Sequence, residues 1–113
     1  MNKSRGRINE EIKRELCDII RFLKDPRITE MLSVVRVDVS GDMSYCDVFV
    51  SSLNGIEDAK KSVKGLESAK GYIKKELSAR LSIRKMPDFR FIPDASIERS
   101  AEIIKIIDEI NKK

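Results

Sequence analysis

A chain of 113 residues, 41% of them hydrophobic, suffices for one layered domain around a single core and excludes two well-buried ones. It contains no histidine, which removes the commonest general base, zinc ligand and pH switch together and argues against an enzyme or a metal protein. The net charge of +4 is uneven: residues 70–90 carry seven bases against two acids, residues 1–14 carry five against two, and the remainder is net acidic, so a polyanionic partner is expected, nucleic acid ahead of membrane.

The first periodic segment places Ile8, Ile12, Leu16, Ile19, Ile20 and Leu23 at steps of three and four, an amphipathic helix that ends before Pro26. Arg5 and Arg7 precede its first predicted turn and read as a basic arm. Arg27, in "DPR", either pairs with Asp25 or reaches a ligand. "VVRVDVS" (34–40) alternates Val35, Val37 and Val39 against Arg36 and Asp38, the period of a strand with one wet face. A turn containing Gly41 leads to "YCDVFVS" (45–51), with Cys46, Val48 and Val50 on one face and Tyr45, Asp47 and Phe49 on the other; the two strands pair as an antiparallel hairpin. Cys17 and Cys46 lack CxxC spacing and both read as buried thiols.

From Glu57 to Ser82 the apolar positions Ala59, Val63, Leu66, Ile73, Leu77 and Leu81 follow a helical stripe, but a straight helix rotates Lys70 into it. Gly71 stands beside that lysine at a cost of roughly 1 kcal/mol relative to alanine. The expectation is that Gly71 bends the segment into two helices and turns Lys70 outward; the alternative is a tolerated glycine and a snorkelling lysine. Phe89 and Phe91 alternate with Arg90 in a third strand, and Pro87 suggests an edge strand or a strand start. Ser96 is the predicted N-cap of a last helix carrying Ile97, Ile103, Ile104, Ile107 and Ile110. The fold expected over residues 1–113 is a single α+β domain: helix, strand, strand, kinked helix, strand, helix, with a three-stranded sheet packed on the helices.

Nothing is apolar enough to span a bilayer and the N-terminus lacks a secretory stretch, so a cytoplasmic protein with no membrane partner is expected. Carboxylate pairs such as Glu10 with Glu11 lack acid–base partners, and no glycine loop cradles a phosphate, so neither catalysis nor a cofactor is expected. Lys70, Lys74, Lys75, Arg80, Arg84, Lys85 and Arg90, with Arg5 and Arg7, are the candidate RNA-binding residues, and phosphate contacts of this kind position RNA without reading its bases. Two rival classes remain: a protein-interaction module using the acidic surface, and a general single-stranded RNA binder.

Five stretches in fixed order, "RINEEIKREL", "DPRI", "VRVDVSGDMSYCDVFVS", "SAKGYIKKEL" and "IRKMPDFRFIPDASIE", resemble the ribosome-binding factor A family of bacterial small-subunit assembly factors, from about Arg5 to Glu109. The resemblance implies a KH-like fold of the second type whose Gly-x-x-Gly loop is replaced by an Ala-x-Gly kink, here Ala69 and Gly71; no two glycines of this chain are three apart. It further implies a monomer that binds the immature or free small ribosomal subunit and its precursor ribosomal RNA, near the decoding and neck region. Such a protein assists maturation of the RNA's 5′ end, matters most in the cold, and leaves when assembly GTPases act.

Overall fold

A computed structural model describes residues 2–83 and 85–96, without the side chains of residues 2–5. The predicted last helix, from Ile97 on, lies outside the described residues; before it, the Asp94 carboxylate accepts both the Ser96 N–H and its hydroxyl.

Helix α1 spans Asn2–Arg21 and buries Ile12, Leu16 and Ile19, the stripe expected from its spacing. It begins earlier than predicted, so Arg5 and Arg7 lie within α1 and do not form a separate arm. Its last turn tightens through i→i−3 bonds from Phe22 and Leu23, and Pro26 then forbids continuation. Asn9 on α1 accepts the Val39 N–H at 2.9 Å, tying the helix to the end of the first strand.

Strands β1 (Leu32–Val39) and β2 (Tyr45–Ser52) form the antiparallel hairpin, and β3 (Asp88–Asp94) pairs parallel to β2, giving the order β1-β2-β3. Val35 has no partner in the register between Val34↔Val50 and Arg36↔Phe49. This bulge corrects the predicted alternation: Val34 is buried with Val37 and Val39, and Val35 is the extra residue. In the hairpin turn it is Met43 (φ 63°), not Gly41, that takes the left-handed conformation, inside a cage where Ser40 and Asp42 accept the Ser44 N–H.

Helix α2 (Ile56–Ser68) starts at Gly55, whose φ of 107° requires glycine. Helix α3 spans Lys70–Arg80, and only Ala69 (φ −93°, ψ 6°) separates the two. The segment is therefore broken as expected, but at the alanine. Gly71 sits within the first turn of α3 with no left-handed φ, and a Cβ built on it meets nothing within 4 Å.

Sequence reasoning misplaced the stripe because it passed over two small residues. Ser62 is fully buried and Ala69 packs on the core, so the inward positions run Ala59, Ser62, Leu66, Ala69, Ile73 and Leu77 at steps of three and four. Lys70 is then never forced inside; it is partly exposed and paired with Glu67 at 2.8 Å.

The loop after α1 holds the end of α2. Asp25 accepts the Arg27 backbone N–H at 2.8 Å and its guanidinium at 3.0 and 2.6 Å, and the same guanidinium donates to the Ser68 hydroxyl at 3.1 Å. The Ser62 hydroxyl donates to the Arg27 carbonyl and accepts the Thr29 N–H, both at 3.2 Å. Arg27 is thus spent on Asp25 and α2.

The helices cover one face of the sheet. Val37, Val39, Cys46, Val48, Val50, Phe89 and Phe91 meet Ile12, Leu16, Ile19, Leu66, Ile73 and Leu77 there in one core. Cys46 is fully buried, and burial, with Asp47 and Asp38 nearby, pushes its thiol up to about 12; Cys17 is exposed, against expectation, because its place on α1 lies off the apolar stripe. A thiol reagent at neutral pH therefore labels Cys17 in the folded chain and reaches Cys46 only on unfolding; equal labelling rates would contradict this packing.

Candidate nucleic-acid interface

Helix α3 runs back along α1. Its start follows Ser68, where Arg27 sits; its end, Arg80, meets Glu15 and Asp18; and the residues after it reach Ile8. The two helices and the α3–β3 connection therefore lie side by side.

Not all the expected cations serve one surface. The Arg80 guanidinium lies 2.7 Å from Asp18, 3.2 Å from Glu15 and 3.7 Å from Glu76, and the Asp18 hydrogen bond above all raises its pKa. Three carboxylates surround it, so within the fold Arg80 clamps α3 to α1. Arg90 is corrected in position. Phe89 and Phe91 face the core, so Arg90 projects from the opposite face of the sheet, where it pairs with Asp47 at 2.7 Å and stacks 4.8 Å from the Tyr45 ring centroid. Arg84 and the Arg5 side chain lie outside the described residues.

Lys74 and Lys75 make no ion pair among the described residues. Lys75 stands on the outer face of α3, where its neighbours Gly71, Ser78 and Ala79 are small and exposed. Lys85 donates to the Ser44 hydroxyl at 3.5 Å, a weak tether, and Arg7 is 3.6 Å from Glu11 with its side chain 83% exposed. Arg14, Arg80 and Lys85 converge on a groove of about 620 Å³ between α1 and the α3–β3 connection, floored by Ile8, Met43 and Leu81.

Arg14 was missed among the candidates, together with Arg21. Both are exposed and unpaired among the described residues. The signal was present in the spacing: Arg7, Arg14 and Arg21 recur every seven residues, which returns to the same helix face within about 20° and sets them about 10.5 Å apart. Among the described residues, the cations of α1, α3 and the α3–β3 connection that make no ion pair thus include Lys13, Arg14, Arg21, Lys74, Lys75 and Lys85, while Arg7 is weakly paired. Such an array grips phosphates through charge and reads no bases. No cluster of metal-ligating side chains occurs among the described residues.

The acid limb of stability follows from the loops that frame this face. The Arg27 hydrogen bonds lower Asp25 to about 2, and those from Ser44, then Ser40, lower Asp42 to about 2. Both pKa values are depressed on folding. The stability they contribute is complete above the unfolded value near 4 and is lost as pH falls from about 4 to about 2. Melting temperature should drop across that window, and Asp25→Asn should flatten part of the drop; an unchanged profile would contradict the clamp.

A family model described as ribosome-binding factor A matches residues 4–107. The chain is 45% identical over 104 residues to ribosome-binding factor A of Acetivibrio thermocellus, covering 91% of this chain and 85% of that one. The crystal structure of ribosome-binding factor A from Thermus thermophilus superposes with a TM-score of 0.71 at 28% identity, covering 79% of this chain and 93% of that one. A homology model of the Thermus thermophilus factor, fitted into a cryo-electron microscopy map of a 30S complex, matches with a TM-score of 0.62 at 31% identity, over 74% of this chain and 88% of that one.

Proposed function

Because the chain belongs to the ribosome-binding factor A family and has its KH-like fold, we propose that it binds the small ribosomal subunit through the cationic face of α1 and α3. The observation that carries this reading is the separation of charges. Arg80 and Arg27 are consumed by carboxylates inside the fold, whereas Arg14 and Arg21 of α1 and Lys74 and Lys75 of α3 are left without ion-pair partners among the described residues. Retaining unneutralised like charges on neighbouring helices costs self-repulsion, which a polyanion relieves. The Thermus thermophilus relative fitted into a 30S complex supports the same partner.

In this reading the chain acts by binding, without catalysis. It holds immature subunits while the 5′ end of their ribosomal RNA matures, in the cytoplasm, and assembly GTPases remove it afterwards. The helix–helix junction at Ser68–Lys70 has no Gly-x-x-Gly clamp, which favours a folded, phosphate-rich target over short single strands. Sedimentation tests it: the protein should travel with free and immature small subunits at low salt. Protein remaining at the top of the gradient, or binding short oligonucleotides as tightly as subunits, would contradict it.

A further inference from the structure

Beyond the Arg80 cluster, the seam between α1 and α3 ends in two aromatic rings. Tyr72, Glu76 and Arg80 recur every four residues on one shoulder of α3. Glu15, Asp18 and Phe22 recur at steps of three and four on one shoulder of α1, Phe22 standing just past the helix with its N–H still bonded to the Ile19 carbonyl. Arg80 joins the two shoulders through Glu15 and Asp18. The helices run in opposite senses, since α3 starts after Ser68, which meets Arg27 beyond the end of α1. One turn on from Asp18, about 6 Å, lies Phe22, and two turns back from Arg80, about 12 Å, lies Tyr72. Both rings therefore stand at the same end of the seam.

The fold uses neither ring. Phe22 is 65% exposed and Tyr72 51%, and neither belongs to the core or packs against it. On the sheet's outer face Arg90 stacks over Tyr45 and Arg36 over Phe49, but among the described residues no cation covers Phe22 or Tyr72, and the Tyr72 hydroxyl has no hydrogen-bond partner. One exposed ring is ordinary; the charges around these two give them meaning. Arg21 precedes Phe22, Lys24 follows it, and Lys75 stands one turn after Tyr72; all three are exposed and make no ion pair among the described residues. The carboxylates of the same turns are spent, Asp18 and Glu76 on Arg80, Glu67 on Lys70 and Asp25 on Arg27. Bare rings set in uncompensated positive charge match a ligand that is flat, aromatic and anionic, as a nucleotide is.

We propose that Phe22 and Tyr72 form a stacking platform for an unpaired nucleobase of ribosomal RNA, whose flanking phosphates fall to Arg21, Lys24 and Lys75; this rests on the binding mode proposed above. Every base has a π-face, so the contact reads no sequence. It reads conformation instead, because a base closed inside a duplex offers no face to stack.

Equilibrium binding of the full-length chain to purified small subunits tests the platform. Phe22→Leu with Tyr72→Leu keeps apolar surface and helix propensity but removes both π-faces. Affinity should fall about tenfold or more, while its salt dependence stays that of the parent because no phosphate contact is lost. Phe22→Tyr with Tyr72→Phe should bind as the parent does, and both variants should melt with it. Independently, p-azidophenylalanine in place of Tyr72 should attach to ribosomal RNA on irradiation. A double leucine variant that binds like the parent, while Lys75→Ala still flattens the salt dependence, would overturn the platform and leave the charge-based reading standing. If neither the leucines nor Lys75→Ala alter binding, both fall. Attachment to ribosomal proteins alone would overturn the nucleobase in favour of a protein contact.

Discussion

Reversing Arg14, Lys74 and Lys75 to glutamate should weaken binding to small subunits by on the order of a hundredfold or more at moderate salt, since under the proposed binding mode each change would remove one phosphate contact and add a repulsion. None of the three takes part in an ion pair among the described residues, so the fold has nothing to lose beyond the few tenths of a kcal/mol usual for surface changes, about 0.5 at most for each. Reversal of Arg90 and Arg36 makes the comparison. Both are exposed cations, but each lies on the sheet's other face, over an aromatic ring and beside an aspartate. Subunit binding should survive their loss. Sedimentation of the two variants at equal ionic strength, with melting curves alongside, separates a lost surface from a lost fold.

The second large effect concerns the two glycines of the α2–α3 segment, which should respond with opposite signs. A Cβ on Gly65 falls 2.8 Å from Ile28 Cγ1 and 3.2 Å from the Asp25 carboxyl carbon. Neither atom gives way cheaply: Cγ1 is not the end of its side chain, and the carboxylate is held by three hydrogen bonds from Arg27. Gly65→Val should therefore destabilise by about 1–3 kcal/mol, through overpacking that pushes the loop off α2. Gly71→Ala enters open space in a helical turn and should stabilise by about 0.5–1 kcal/mol through backbone entropy. Denaturant midpoints of the two variants measure both. A destabilised Gly71→Ala would mean that the break between α2 and α3 does depend on the glycine.

These two glycines also mark where sequence reasoning ends. The spacing of Ile12, Leu16 and Ile19, the hairpin, and the alternation of Phe89 and Phe91 were legible because burial imposes a period on the apolar residues themselves. The break near residue 70 was legible too, as a conflict in phase. Its position was not, because Ala69 and Ser62 carry too little apolar surface to register as inward positions, while Gly71 attracts attention by composition alone. Gly65 escaped notice for the converse reason: its constraint comes from Asp25 and Ile28, 40 and 37 residues away in the chain.

The bulge at Val35 is a further case, since four valines among Val34, Val35, Val37 and Val39 leave two registers equally apolar. For the site, the basic stretch from Lys70 to Arg90 announced a polyanionic partner. Neutralisation could not be read from it: Arg80 finds its carboxylates 62 and 65 residues away, and Arg90 is turned from the helical face by the parity of its strand. Arg14 and Arg21 were hidden by their acidic neighbours on α1, although their seven-residue spacing from Arg7 was in plain view.

The salt dependence of subunit binding reaches the central claim most directly. Plotting the logarithm of the association constant against that of salt concentration, the parent should give a steep negative slope, and Lys75→Ala should reduce its magnitude by about 0.7–0.9, the share of one phosphate contact. Arg90→Ala should leave the slope unchanged. An unaltered slope without Lys75, or a slope that flattens only when Arg90 is removed, would contradict the assignment of the helical face as the surface that meets the ribosome.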